Sequence, residues 1–318
     1  MLRTAEQSPA KPTFAERGTS LAKRFRRDRV YLLMLVPVVA FFVIFHYVPM
    51  YGALIAFKEV APGKGYLAGK WIWFANFELF FRSIFFWRLL RNTFVLSFYS
   101  ILFGFPIPIL FALALNGIRR PYYKRFVQSA SYLPHFISTV IVVGMMVNFL
   151  SPVNGVVNRF IEAFGGSPIH FFNSARWFRP LFVGSEIWQS FGWGSIIYLA
   201  ALTGINPELY ESATVDGASR LQRMWHIDLP GILPTIMILL ILRMGSILAV
   251  GFERIILMYN PATYEVADVI QTYVYRRGVL QADVSFATAV GLFNSTINLV
   301  FLVVFNRVSR RITEISLW

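Results

Sequence analysis

Val30-Tyr31-Leu32-Leu33-Met34-Leu35-Val36-Pro37-Val38-Val39-Ala40-Phe41-Phe42-Val43-Ile44-Phe45-His46-Tyr47-Val48-Pro49-Met50 runs for 21 residues without a charge. A helix needs about 20 predominantly apolar residues to cross the hydrocarbon of a bilayer, and this stretch supplies them. Immediately before it stand Arg3, Lys11, Arg17, Lys23, Arg24, Arg26, Arg27 and Arg29. Basic residues flanking a first span hold that flank in the cytoplasm. No Ala-x-Ala cleavage site follows the run, and the charged leader is 29 residues long, so the pattern predicts an uncleaved first helix rather than a signal peptide. Glu6, Glu16 and Asp28 interrupt the basic stretch, which argues against a transit peptide.

Five further runs of spanning length follow, at 93–115, 126–150, 180–205, 232–252 and 284–305. The fourth span carries Glu186 and the fifth Arg243; the others are uncharged. Six spans place both termini on one side. With the N-terminus inside, 17 of the 30 Lys and Arg residues fall on inside segments and 12 on outside ones, Arg243 lying within a span. An N-in, C-in protein is therefore expected.

Composition agrees with lipid as the solvent. Of the 318 residues 56% are hydrophobic and 14% charged, against about 25% charged in a soluble domain. The 32 Phe residues suit lipid-facing and interfacial surfaces. A net charge of +14 would point to nucleic acid on a soluble chain, but here it follows from basic inside loops, and no nucleic-acid partner is expected. The absence of cysteine excludes disulfides, thiolate metal sites and cysteine nucleophiles. His46, His135, His170 and His226 are too far apart in sequence to form a helical metal pair, and no metal site is expected.

The long outside segments are 51–91, 151–179 and 253–283. The first holds Pro62, Gly63, Gly65 and Gly69 and then the aromatic block Phe80, Phe81, Phe85, Phe86 and Trp87, read as an interfacial belt.

One inside segment, 206–230, is long and polar enough to be more than a connection. Asn206 can N-cap a helix, Pro207 suits its first position, and Glu208 favours the positive end of the dipole. Asp216-Gly217 ends that helix. A second amphipathic stretch then puts Leu221, Met224, Trp225 and Ile227 toward one side, with Pro230 expected to stop it and Pro234 to open the next span. Two short helices at an angle on the cytoplasmic face make a rigid knob suited to docking on a soluble partner.

Glu211-x-Ala213-x-x-Asp216-Gly217-Ala218, followed by Ile227-x-Leu229-Pro230 and Pro234, resembles the EAA motif of permease subunits of binding-protein-dependent ABC importers. The match covers about 25 residues in the expected place before the fifth span. Ser212 departs from the usual second small residue while staying small. The resemblance extends over most of the chain and is nearest the carbohydrate-uptake branch for oligosaccharides, through Asn92-Thr93, Tyr132-Leu133-Pro134 and Ile315-Ser316-Leu317-Trp318. Permeases for complex or acidic saccharides are within it, an alginate importer being one candidate.

The resemblance implies an all-α type I importer permease. It would have a basic tail (1–29), a six-span domain (30–305) with the coupling loop 206–230, and a short cytoplasmic tail (306–318). It implies as partners a second homologous permease, two ATP-binding subunits, a periplasmic solute-binding protein and an oligosaccharide, all around a bacterial cytoplasmic membrane. Glu211 would contact basic or polar groups of the ATPase, and Gly217 would permit the turn. Asp216 would cap the second helix, and Ala213 and Ala218 would allow close approach. ATP and magnesium would sit in the partner ATPases, with no cofactor in this chain. The residues agree on that point. The nearest P-loop lookalike, from Gly63, has five residues before Gly69 and Trp71 where the hydroxyl belongs.

A saccharide pathway needs aromatic faces and hydrogen-bonding groups within the spans. Trp188, Gln189, Trp193, Arg243, Asn294 and Asn298 meet that need, with Glu186, Tyr198 and Glu253 nearby. The same residues also read structurally: the asparagines as interhelical hydrogen bonds, Arg243 with Glu186 as a bridge, His135 as a packing or gating residue. Two other classes stand beside the importer. An intramembrane enzyme would have to use Ser138 with His135, and a secondary transporter would be expected to show an inverted repeat or more spans.

Overall fold

The computed structural model describes residues 27–60, 65 and 69–318. Most of the basic tail, Pro62, Gly63 and Lys64 lie outside the described residues. The chain divides into two units, Met1–Leu54 and Ile55–Trp318.

In the first unit Arg29–Phe42 is helical, continues through a wider π turn at Val43–Tyr47, and ends with Val48–Met50. None of these residues is buried, and apolar side chains point out on every side, as on a helix solvated by lipid.

The second unit opens with a two-residue antiparallel ribbon, Lys58–Glu59 against Lys70–Trp71, and then a short helix Ala75–Phe81. The first long helix of this unit runs from Phe86 to Asn116 over 31 residues, beginning seven positions before the apolar run at 93–115. It contains a π turn at Ser100–Gly104.

The third predicted span is not straight. Pro121–Phe136 and Thr139–Phe149 meet at 97°. Pro134 sits in a tight 3-10 turn, Ile137 and Ser138 are extended, and the Ser138 hydroxyl accepts the Ile141 amide as N-cap of the second arm. An uninterrupted apolar run here disguised a broken helix.

Ala175–Thr203 matches the fourth span, lengthened at its start by five residues. Its 29 residues reach about 44 Å. The fifth predicted span is shifted. A helical run Arg220–Met244 begins inside the loop, and the chain breaks at Gly245 rather than continuing to Phe252. Helix resumes at Phe252–Met258. The last helix, Val284–Thr313, carries Arg307, Arg310 and Arg311 beyond its apolar part. Among the described residues, four helical segments are long and apolar enough to cross a membrane, or five with the bent pair. Ala175–Thr203 is equally long but more polar.

Ala175–Thr203 is the central element of the second unit. Phe178, Phe182 and Val183 pack with Leu96, Val143, Val250 and Ile255 in one core cluster. Tyr198 and Leu202 pack with Ile109, Leu113, Ile232 and Ile236 in another. A third cluster joins Phe80, Leu89, Ile270, Tyr273 and Phe286. Gly192 allows the closest approach: a Cβ there would lie 2.1 Å from the Ser131 carbonyl oxygen, so no larger residue fits without moving backbone.

Candidate functional site

Two regions of the second unit hold most of the predicted site residues, a cavity beside Ala175–Thr203 and the loop helices around Pro207–Val215.

The cavity measures about 830 Å³ and is bordered by Ser100, Pro108, His135, Glu186, Gln189, Trp193, Arg243, Glu253 and Arg254. Glu186, Gln189 and Trp193 share one helix face through i, i+3 and i+4 spacing. The Glu186 carboxylate accepts the Ser100 hydroxyl at 2.7 Å and an Arg243 Nη at 3.3 Å. Gln189 donates to the Ile137 carbonyl at 2.6 Å, across the broken third span, and accepts from the Arg254 guanidinium. Arg254 donates further to the Ser185 hydroxyl at 2.7 Å and is 8% exposed. His135 stacks on Trp193 with ring centroids 4.7 Å apart and planes within 4°, and Phe136 meets Trp193 edge-on. The wall therefore combines aromatic faces, two guanidiniums and two carboxylates, groups able to bind both sugar rings and their polar substituents.

Of the six predicted pathway residues, the structure brings Gln189, Trp193 and Arg243 together here. Trp188, one position from Gln189, turns away into a separate hollow of about 400 Å³ with Met145, Met146 and Phe149. Asn294 borders a third hollow of about 750 Å³ with Gln271 and Ser295, where its Oδ1 is buried without a partner. Asn298 accepts the Leu248 amide at 3.0 Å and so anchors the segment after the break at Gly245. The interhelical reading of Asn298 and the bridging reading of Arg243 with Glu186 both describe contacts present. Sequence reasoning missed Arg254, which it placed in an outer segment. Its signal was faint: a charged pair just after Gly251 that the shortened fifth span turns inward.

In the loop, Asn206 caps Pro207–Val215, its side chain accepting the Glu208 amide at 3.1 Å. Gly217 has φ +73°, and the Ala218 amide returns to the Ala213 carbonyl at 2.9 Å to close the helix end. Asp216 lies at that end and does not cap the next helix. Ser219 does, in a reciprocal box with Gln222. Pro230 also fails to stop the helix. A π turn at Met224–Asp228 carries the chain past the missing amide, and Leu229, Pro230 and Pro234 continue into the span. The loop is thus one short helix plus the N-terminal extension of the span. Glu211, Asp216 and Gly217 are exposed and Ala213 and Ala218 half-buried, while Leu229 packs against the core with Met224. The Tyr210 hydroxyl donates to Asp228, and Asn116 Nδ2 approaches the same carboxylate oxygen at 3.4 Å. Burial first, and then Asp228, push the Tyr210 hydroxyl up to about 12, so it stays a donor.

Residues 104–314, which contain the loop and most of the cavity wall, match the family described as the binding-protein-dependent transport system inner membrane component. Protein LplB of Bacillus subtilis (strain 168) is 43% identical over 304 residues, 96% of each chain. The polygalacturonan/rhamnogalacturonan transport system permease protein YteP of the same organism is 41% identical over 98% of this chain and 99% of its own. A solved chain of a bacterial ABC transporter involved in the import of the acidic polysaccharide alginate superposes with a TM-score of 0.86 at 49% identity, covering 92% of this chain and 99% of that one. The chain is a member of the binding-protein-dependent transport system inner membrane component family, an ABC importer permease of the type I fold.

Proposed function

We propose that this chain pairs with a second permease to form the pathway of an ATP-driven importer for an acidic oligosaccharide, a uronate oligomer such as a fragment of alginate or polygalacturonan. A periplasmic binding protein delivers the cargo, and two separate ATPase chains bind ATP and magnesium. The termini and the 206–230 loop face the cytoplasm, and Glu211 with the exposed end at Asp216-Gly217 docks on an ATPase.

The observation that carries the cargo class is the 49% identity, across 92% of the chain, to a transporter of an acidic polysaccharide. YteP, named for a second family of uronate polymers, supports the same class. The cavity is chemically suited to it: Trp193 and His135 offer ring faces, and Arg243 and Arg254 offer carboxylate donors.

The test is reconstitution in proteoliposomes with candidate ATPase, second permease and binding protein. Uronate oligosaccharides should stimulate ATP hydrolysis and enter the lumen, with neutral oligosaccharides of equal length ineffective. Stimulation by neutral sugars alone would overturn the cargo class, and uptake without any ATPase would overturn the importer reading.

A further inference from the structure

Asp228 is 7% exposed, yet among the described residues no Lys, Arg or His side chain forms an ion pair with it. Its hydrogen-bond partners are both neutral, Tyr210 and Asn116. A buried carboxylate held only by neutral donors is a costly structural peg, because desolvation opposes the charge. Arg119, Arg120 and Arg220 border a hollow of about 460 Å³ that Asp228 also lines.

The position of this carboxylate gives it a use beyond that of a peg. Tyr210 precedes Glu211 on the docking helix, Asp228 ends the π turn at the base of the Arg220–Met244 helix, and Asn116 ends the Phe86–Asn116 helix. Three elements thus converge on one side chain. Among the described residues, two side-chain hydrogen bonds join Pro207–Val215 to the Arg220–Met244 helix. Arg223 to Thr214 is exposed, and Tyr210 to Asp228 is the partly buried one.

We propose that Tyr210, Asp228 and Asn116 form the mechanical joint of the transporter, with Tyr210 and Asp228 acting as positioning residues. Displacement of the docking helix by the ATPases is passed through the Tyr210 hydroxyl to the span base and, through Asn116, to the helix that carries Ser100 into the cavity. This inference rests on the coupling role proposed above. The hydrogen bond supplies directional stiffness that apolar contact lacks, because it weakens steeply as its angle bends. The adjoining hollow lies between Leu113 and Ala114 on one of these helices and Arg220, Met224 and Asp228 on another.

The experiment measures ATP hydrolysed per saccharide imported in proteoliposomes holding the complete transporter, for wild type, Tyr210→Phe, Asp228→Leu and Asp228→Asn. Tyr210→Phe removes one oxygen and leaves the ring packing, so copurification of the ATPases in unchanged ratio reports intact assembly. The expected result is that Tyr210→Phe and Asp228→Leu raise the ATP-to-saccharide ratio about ten-fold or more, the factor set by one hydrogen bond to a charged acceptor. Asp228→Asn keeps an acceptor oxygen for Tyr210 without the charge, and its ratio should fall between wild type and Asp228→Leu. An unchanged ratio in Tyr210→Phe and Asp228→Leu, or hydrolysis and uptake falling in step, would overturn the joint. Failure of the reading it rests on looks different: Glu211→Lys would then couple normally, or the wild type would show no saccharide-stimulated hydrolysis, and either result removes the joint as well.

Discussion

The cavity and the docking loop are built with the same local device and use it differently. In each, a π turn ends two residues before a proline: Ser100–Gly104 before Pro106, and Met224–Asp228 before Pro230. Proline has no amide to donate, and its ring crowds the carbonyl four residues back. Widening the turn relieves that clash without ending the helix. The extra residue also re-aims the side chains around it, which is why such turns gather at functional sites. In the cavity the re-aimed side chain is Ser100, a neutral donor to the already paired Glu186. At the loop it is Asp228, a buried charge that draws neutral donors from two other elements. One turn trims the cavity wall; the other ties the loop helix to the span that follows it. Val43–Tyr47 before Pro49 repeats the spacing in the first unit, whereas Pro37, Pro180 and Pro234 lie inside helices without a π turn just ahead of them.

The comparison breaks most visibly at the docking end. Glu211→Lys reverses the charge on an exposed helix face without touching the core, and it should lower ATP-driven uptake by about thirty-fold or more, comparable to losing a hot-spot contact of about 2 kcal/mol or more. Binding of the oligosaccharide in the cavity, read by equilibrium dialysis against the purified permease pair, should be unchanged. A parallel loss of binding would mean that the two regions are not separable.

A smaller effect is expected in the cavity. Arg243 and Glu186 are 41% and 29% exposed at the side chain, so their pairing is screened and contributes about 1 kcal/mol or less. Glu186→Gln keeps an acceptor for Ser100 and should lower the midpoint of thermal unfolding in detergent by only about 2–4 °C. The KM for a uronate oligosaccharide should fall, because Arg243 loses its internal competitor. A raised KM would show that Glu186 itself holds the sugar.

How far the sequence reached follows the same division. Spans and loop caps were legible because each depends on neighbours a few positions away: uncharged runs for lipid, Asn206 and Pro207 for a helix start, Gly217 for a turn at positive φ. The end of the fifth span was not legible. Its break is held by Asn298, 50 residues on, and that long-range bond moves Arg254 from an apparent outer loop into the cavity wall. The fold in the third span hid behind an apolar run, since hydropathy is blind to direction. Trp188 was within reach of sequence logic, because a residue between Glu186 and Gln189 must point off their shared face. The roles of Pro230 and Asp216 were misplaced for one reason, that a π turn and a neighbouring serine supply what those residues were expected to provide.

The gentlest perturbation is also the sharpest. Pro106→Ala and Pro230→Ala restore the missing amide at each turn, and alanine is the residue best suited to a helix interior. If proline alone forces the wide turns, both should tighten to α geometry in a structure of the variants. Stability should change by at most about 1 kcal/mol, because each replacement restores an amide donor to the helix but also gives the unfolded chain more conformational freedom. The consequences should then separate. Tightening at residue 106 rotates Ser100 away from Glu186, a loss the Arg243 pairing covers, and uptake should stay within about two-fold, a hydrogen bond's modest net value. Tightening at residue 230 rotates Asp228 away from Tyr210 and Asn116, leaving a buried charge without donors, and the chain can avoid that only by keeping the wide turn. Retention of the π turn in Pro230→Ala, together with its loss in Pro106→Ala, would show that the loop turn is held by the carboxylate's partners and the cavity turn by its proline. Loss of both turns with coupling intact would sink that distinction.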